Sequence, residues 1–198
     1  MRTRGPGHAD TKQRILEVAR KLVIKQGHAN LSLRAVAREA GFSAPSLYEY
    51  FASKDEIVAT IAGEIAASLR RALHEAATEA KDPRAALLAI GLAYVAWARK
   101  HPQDFLLMFS RLPSRRRALT AAPPSESPYQ IVVAAVTQAH EAGVITGKPQ
   151  RREHIAYALW AAVHGMAMLQ LTHLAGFDAD FATADKAAVE ALIAGFGA

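Results

Sequence analysis

The side chains best suited to chemistry lie in one short segment, AGFSAPSLYEYFASKDEI, which spans positions 40 to 57. Its serines, two tyrosines and lysine are all hydrogen-bond donors. Such donors, together with the backbone N–H groups at a helix N-terminus, suit a partner that carries phosphate. The glycine and proline of the segment predict a turn between helices beside these donors. The spacing alone is compatible with a phosphate-binding surface and with an ordinary helical hairpin whose tyrosines are half-buried.

Charge is unevenly distributed along the 198 residues. Residues 1–55 carry ten Lys and Arg against five Asp and Glu, so nearly all of the net charge of +6 lies there. A local basic excess indicates a polyanionic partner, without separating DNA from RNA or a lipid surface. The absence of cysteine excludes a disulfide scaffold and a thiol nucleophile, and it is compatible with the reducing cytoplasm that we expect.

Helical periodicity recurs along the whole chain, whereas no segment alternates with period two for long. We therefore predict an all-α fold with about nine helices. The first helix is expected to begin at Asp10, and Ser32 and Ser43 should cap the second and third helices on either side of Gly41. Ser53 should open a long fourth helix with a capping box.

The second half of the chain predicts five more helices. The fifth, over roughly 83–100, is apolar almost all round and should be buried. The sixth starts at about 102, a loop covers 111–128, and the eighth covers roughly 150–175. Residues 155–177 carry no formal charge over 23 positions, which is the length of a membrane span. Because this stretch holds histidines and other polar residues and has no second span, we expect a buried or intersubunit helix and no membrane partner.

The run from Ile15 to Ile57 resembles the DNA-binding domain of the TetR family of bacterial repressors. It reads IL-x-VA-x-x-LV-x-x-x-G, then L-x-x-VA-x-x-AGFS-x-x-x-LY-x-YF-x-SKDEI. The motif LWAAVHG, residues 159–165, is similar to the tryptophan–histidine–glycine signature of one TetR subgroup. This resemblance implies a homodimeric, ligand-responsive repressor of double-stranded operator DNA. Its helix-turn-helix domain would cover 1–55, and a ligand-binding and dimerisation domain would cover 56–198.

The resemblance also implies particular DNA contacts. The residues expected to contact backbone phosphate are Ser43, Tyr48, Tyr50 and Lys54. The residues expected to face the bases are Pro45, Ser46 and Glu49. Glu49 is an unusual choice, and it either accepts from a cytosine amino group or points to solvent and repels phosphate. Arg2 and Arg4 form either a minor-groove arm or a frayed tail.

A pocket for a small apolar or aromatic effector is expected among the fourth to eighth helices. Its candidate lining residues are Tyr94, Trp97, Phe105, Met108, Phe109, Trp160, His164 and Met168. For each of them packing in the core is the competing role. Gly165, beside His164, predicts a close approach to another helix or to a ligand. We expect the subunits to meet through the eighth and ninth helices.

An enzyme is the weaker interpretation. The sequence HEAAT has Thr78 where a zinc-protease motif needs its second histidine, and GFSAP has Pro45 where a nucleophile elbow needs glycine. We therefore expect no catalytic residue, metal or cofactor. The closer alternative is a constitutive DNA-binding regulator or an activator of the same fold. In the ligand-responsive case, the fourth helix would transmit the movement of a bound ligand to the DNA-binding domain.

Overall fold

A computed structural model of the chain describes residues 7–27, 30–109, 126–146 and 151–197. Within these ranges the regular structure consists of α-helices without a strand, which confirms the predicted all-α fold. The helices of the described ranges, numbered α1 to α9, are His8–Gln26, Leu33–Ala40, Ala44–Tyr48, Lys54–Glu79, Pro83–Lys100, Pro102–Phe109, Pro128–Glu141, Arg152–Leu171 and Phe181–Phe196.

Serine caps set the starts of three helices, as predicted. The hydroxyls of Ser32, Ser43 and Ser53 each accept a hydrogen bond from the backbone N–H three residues further on, at 3.1, 3.2 and 3.1 Å. Each of these bonds satisfies a donor that the first turn of a helix leaves unpaired. They begin α2, α3 and α4.

The predicted start of α1 at Asp10 is wrong, because α1 begins at His8. The Asp10 carboxylate accepts a hydrogen bond from the backbone N–H of Gly7 at 3.3 Å. Asp10 therefore lies in the first turn of α1, where a negative charge also interacts favourably with the helix dipole.

The chain divides into two compact units, Met1–Ile65 and Ala66–Ala198. The division lies within α4, whereas the predicted boundary after residue 55 lies at the start of the same helix. In the first unit α2 packs against α1 and α3. The fully buried side chains of this unit include Ile15, Val36, Leu47, Phe51 and Ile57.

The second unit is organised around α5, which packs against α6, α7, α8 and α9. This position confirms that the apolar fifth helix is buried. Its buried residues are Ala86, Leu87, Ile90, Gly91, Tyr94, Val95, Trp97 and Ala98. The helices α7 and α9 also pack on α8, so α5 and α8 share two of their neighbours.

Some sequence predictions concern residues outside the described ranges. These are the arm at Arg2 and Arg4 and most of the loop over 111–128. Within the described ranges, none of the helices combines the length and the hydrophobicity that a membrane span requires.

Candidate functional site

The turn between α2 and α3 depends on a left-handed glycine. Gly41 has φ 77° and ψ 31°, a conformation that side chains with a Cβ rarely adopt. It allows the N–H of Phe42 to donate to the carbonyl of Ala37 at 2.8 Å, which closes the end of α2. Because Ser43 caps α3 two residues later, the two short helices form a helix-turn-helix arrangement. The predicted turn at Gly41 is confirmed.

The solvent side of α3 carries the donors that the sequence singled out. Tyr48 is 57% exposed, and Ser43, Pro45 and Glu49 are exposed as well. The Ser46 hydroxyl is half-buried and lies 2.8 Å from the Ser43 hydroxyl. Leu47 of the same helix is fully buried and anchors α3 in the core of the unit. Polar side chains and an exposed tyrosine therefore face outwards from a fixed, short helix.

Tyr50 and Lys54 differ in their environment from the exposed group. The half-buried ring of Tyr50 lies 4.6 Å from the His8 ring and 6.4 Å from the Phe42 ring, measured between centroids. The ring therefore packs between α1 and the turn, and a phosphate contact of its hydroxyl stays a prediction. Lys54 is half-buried and is the first residue of α4, directly after the Ser53 cap.

Two cations of α1 lie close to aromatic rings, one in the turn and one shortly after α3. The Lys12 ammonium is 5.0 Å from the Phe51 ring centroid, and the Arg14 guanidinium carbon is 5.9 Å from that of Phe42. Both distances lie within the range of cation–π attraction, ~6 Å. The sequence predicted neither contact, because no local spacing relates the start of α1 to residues some thirty to forty positions later. These cations place positive charge next to the helix-turn-helix arrangement.

An apolar cavity lies among α5, α7 and α8 in the second unit. Its walls carry no formal charge, and the lining residues are Leu87, Ile90, Gly91, Tyr94, Val132, Leu159, Trp160 and Val163. The room inside is about 20 Å³, roughly the space of one water molecule. Because pockets for drug-sized ligands are far larger, ~300–1,000 Å³, any such ligand has to move the cavity walls.

Aromatic rings surround one side of this cavity. The Trp160 ring lies 4.9 Å from the Tyr94 ring and 5.4 Å from the Tyr129 ring, at interplanar angles of 66° and 87°. These are edge-to-face arrangements, which the charge distribution of aromatic rings favours. Tyr94 and Trp160, two of the eight candidate residues, both line the cavity.

His164 extends the aromatic cluster. Its Nδ1 lies 3.0 Å from the Tyr94 hydroxyl, and its ring lies 5.4 Å from Phe105 and 4.4 Å from Phe109. Burial raises the pKa of Tyr94 and lowers the pKa of His164. Burial therefore favours the neutral form of both groups, and the imidazole tautomer decides which of them donates the hydrogen bond.

The remaining candidate residues do not line the cavity. Trp97 is buried, donates from Nε1 to the Ser68 hydroxyl at 3.2 Å and stacks 5.0 Å from the His101 ring. It borders a groove between α4 and α5 instead. Met108 and Met168 are half-buried and are absent from the cavity wall. For all eight candidates a ligand contact stays a prediction.

The close approach expected at Gly165 occurs at a different glycine. A methyl group added at Gly165 would have no neighbouring atom within 4 Å, whereas one at Gly91 would lie 3.1 Å from Cγ1 of Val189 on α9 and 3.4 Å from Cγ1 of Val163 on α8. Gly91 is thus part of the cavity wall and also a place where α5 lies close to both α8 and α9.

Tyr129, at the start of α7, has a buried hydroxyl without a hydrogen-bond partner in the described part of the chain. Burial raises the pKa of Tyr129, and the negative charge of Glu153 on α8 adds to this effect. The hydroxyl is therefore a neutral donor at neutral pH. The sequence did not single out Tyr129, since a tyrosine in the first turn of a helix has no distinctive pattern.

A polar junction connects α5, α8 and α9. Asp185 is only 4% exposed, and its two oxygens lie 3.3 Å from Nη1 of Arg99 and 2.8 Å from Nε2 of Gln170. In the described ranges, no group of three or more His, Asp or Glu side chains is placed to hold a metal ion. The junction therefore links three helices through hydrogen bonds and one ion pair.

The turn, the exposed face of α3 and the helical second unit define a helix-turn-helix regulatory protein. Residues 15–61 match the family model for bacterial regulatory proteins of the tetR family, and residues 87–196 match the tetracyclin repressor-like C-terminal domain. The chain belongs to the TetR family, which is a family of transcriptional regulators. The tryptophan–histidine–glycine subgroup stays a prediction.

Individual relatives support the family and the fold. Two HTH-type transcriptional regulators, from Mycobacterium tuberculosis and Mycobacterium bovis, are 29% identical to this chain over 150 residues. The match covers 72% of this chain, which spans only 61% of the length of these relatives. A protein of unknown function from Rhodococcus sp. RHA1 is 27% identical, with a TM-score of 0.79 over 99% of this chain and 100% of its own. A regulatory protein of the tetR family from Rhodococcus RHA1 shares the fold at 16% identity, with a TM-score of 0.71 over 94% of this chain and 97% of its own.

Proposed function

We propose that this chain is a homodimeric transcriptional repressor. It binds double-stranded operator DNA with the first unit and leaves the DNA when a small apolar or aromatic molecule binds the second unit. The observation that carries the proposal is the left-handed turn at Gly41 followed by α3, whose exposed side presents Ser43 and Tyr48. A recognition helix held in this way fits the major groove, while hydroxyls and helix N-terminal amides contact phosphate.

The second unit supports an effector site. Its cavity has apolar and aromatic walls and lies in the middle of the helices that pack around α5. The helix α4 belongs to both units. If a ligand moves the later part of α4, this movement would be transmitted to the first unit and to its recognition helix. Dimeric helix-turn-helix proteins need their recognition helices about 34–36 Å apart or a multiple of this distance, so such a movement would weaken binding.

The helices α8 and α9 support a dimer. On α8, Tyr157 is 55% exposed and Leu169 is 49% exposed, and Phe177 shortly after it is 66% exposed. In a dimer these apolar side chains would be removed from water, which favours association. The exposed residues of α9 include many alanines, which allow another helix to approach closely.

The test of DNA binding uses DNA from just upstream of the gene against scrambled DNA, at near-physiological salt. We expect a preference of ~10³-fold or more. Ser43→Ala and Ser32→Ala form a matched pair, because each removes a helix cap and each should cost about 1 kcal/mol of stability. Only Ser43→Ala should also weaken operator binding, by about ten-fold, because a hydrogen bond to a charged group is lost. Equal operator affinity of the two variants would contradict the proposed interface.

A constitutive regulator is the second candidate, and the small volume of the cavity is the observation that favours it. If the chain is a constitutive regulator, compounds that bind it and raise its melting temperature should leave its affinity for operator DNA unchanged. Release by such a compound would support the repressor with an effector.

A further inference from the structure

We infer that the effector is a neutral aromatic compound with a hydrogen-bond acceptor, which receives the hydrogen bond of the Tyr129 hydroxyl while its ring packs against Trp160. This inference depends on the effector site proposed above. It adds the chemical class of the ligand and a specificity-determining residue.

The unpaired hydroxyl of Tyr129 indicates a ligand with a hydrogen-bond acceptor. Tyr129 Oη is buried without a partner in the described part of the chain, although buried polar groups in proteins are nearly always hydrogen-bonded. Tyr129 and Val132 are three residues apart on α7 and so lie on the same face of the helix. Val132 lines the cavity, and Trp160 both lines the cavity and contacts the Tyr129 ring. The Tyr129 ring is therefore in contact with a residue of the cavity wall, and the inference places its hydroxyl within reach of a ligand that enlarges the cavity.

The uncharged lining of the cavity indicates a ligand without a charge. None of the cavity-lining residues carries a formal charge, so an ionic group on the ligand would be buried without a counter-ion. The negative charge of Glu153 also acts on the Tyr129 hydroxyl, which disfavours a carboxylate there. A carbonyl or ether oxygen satisfies the donor without these penalties.

The aromatic ring follows from the geometry around Trp160. Tyr94 and Tyr129 both present edge-to-face contacts to the indole ring, an arrangement that a further ring can join. Trp160 is half-buried, so it is a wall residue that a ligand can displace when it enlarges the space of about 20 Å³.

The test uses four small benzene derivatives that differ in one group. Acetophenone has a neutral acceptor, ethylbenzene has none, benzoate is an anion and benzylamine is a cation. Binding to the full chain is measured by the shift in melting temperature and by quenching of Trp160 fluorescence in Trp97→Phe, which leaves Trp160 as the only tryptophan. We expect acetophenone to bind most tightly, about five-fold or more above ethylbenzene.

The decisive variant is Tyr129→Phe, which removes only the hydroxyl. It should lower the affinity for acetophenone by about five-fold and leave that for ethylbenzene unchanged. Its melting temperature without ligand should be no lower than that of the parent, because the hydroxyl has no partner to lose. Thr137→Val is the matched control and should change neither affinity, because it removes a hydroxyl of the same helix that donates to the Val133 carbonyl and is absent from the cavity wall.

Several results would overturn the inference: tighter binding of benzoate or benzylamine, no binding of acetophenone up to its solubility limit, or the same loss of affinity in Tyr129→Phe and Thr137→Val. Operator preference is measured on the same preparations. Selective acetophenone binding without operator preference would refute the repressor and leave the ligand class standing. Operator preference without acetophenone binding would refute only the ligand class.

Discussion

At the last turn of α5, the guanidinium of Arg99 reaches a carboxylate that is almost completely removed from water. Burial raises the pKa of Asp185 above its ordinary value, although the hydrogen bond from Gln170 and the charge of Arg99 act in the opposite direction. The protonated form is therefore favoured more in the folded chain than in the unfolded chain. Asp180, at the start of the same helix α9, behaves in the opposite way, since hydrogen bonds from Thr183 lower its pKa.

These two aspartates predict pH effects of opposite sign. Because the folded pKa of Asp185 is raised, its contribution to the free energy of unfolding is fully present below the unfolded pKa and is lost as pH rises through the folded pKa. The difference in stability between the parent and Asp185→Asn should therefore shift in favour of the parent as pH falls from neutral. For Asp180, whose pKa is lowered, the parent should lose stability relative to Asp180→Asn as pH falls. Urea unfolding at neutral pH and at about pH 4, near the ordinary pKa of aspartate, measures both, and a common sign would contradict the assignment.

At the scale of the elements, the sequence predicted the helices better than their mutual contacts. Serine caps and a turn glycine act within a few residues, so the starts of α2, α3 and α4 could be predicted. The residues that line the cavity depend on which sides of α5, α7 and α8 pack together. When a helix is apolar on all sides, its sequence does not indicate which side faces a given neighbour. Consequently only Tyr94 and Trp160 of the eight candidates line it, and the close approach occurs at Gly91 instead of Gly165.

The close approach at Gly91 predicts a contrast between two glycine substitutions. Gly63→Ala, in the exposed middle of α4, has nothing within 4 Å of the new methyl group and should stabilise the chain by ~0.5–1 kcal/mol. Gly91→Ala places its methyl 3.1 Å from Val189, a fully buried β-branched residue with little rotamer freedom. We expect Gly91→Ala to be less stable than Gly63→Ala by about 1 kcal/mol or more. Equal stabilisation in denaturant unfolding would show that α9 can move away easily.

At the scale of the molecule, the charge distribution predicts how DNA binding responds to salt. The first 55 residues hold nearly all of the net charge of +6, and the cations of Lys12 and Arg14 lie over Phe51 and Phe42. Phosphate contacts release counter-ions, so operator affinity should fall linearly on a logarithmic salt scale.

Lys54→Ala and Lys100→Ala test this distribution. Each removes one lysine, from the start of α4 and from the end of α5. We expect Lys54→Ala to reduce the salt slope by about one and to weaken specific and scrambled DNA alike. Lys100→Ala, in the second unit, should leave the slope unchanged. Titration of labelled DNA over a range of salt concentrations measures the slopes, and a change with Lys100→Ala alone would move the interface away from α3.

Gly91 connects the proposed effector site with the proposed dimer interface. On one side it is a wall of the cavity, and on the other it touches α9 through Val189. If a bound compound shifts α5 at this point, and if α9 is part of the dimer interface as proposed, ligand binding and subunit association share one contact. Thermodynamic linkage then makes the coupling reciprocal. If the compound changes the dimer dissociation constant by a given factor, dimerisation changes the affinity for the compound by the same factor. An apparent effector affinity would consequently vary with protein concentration.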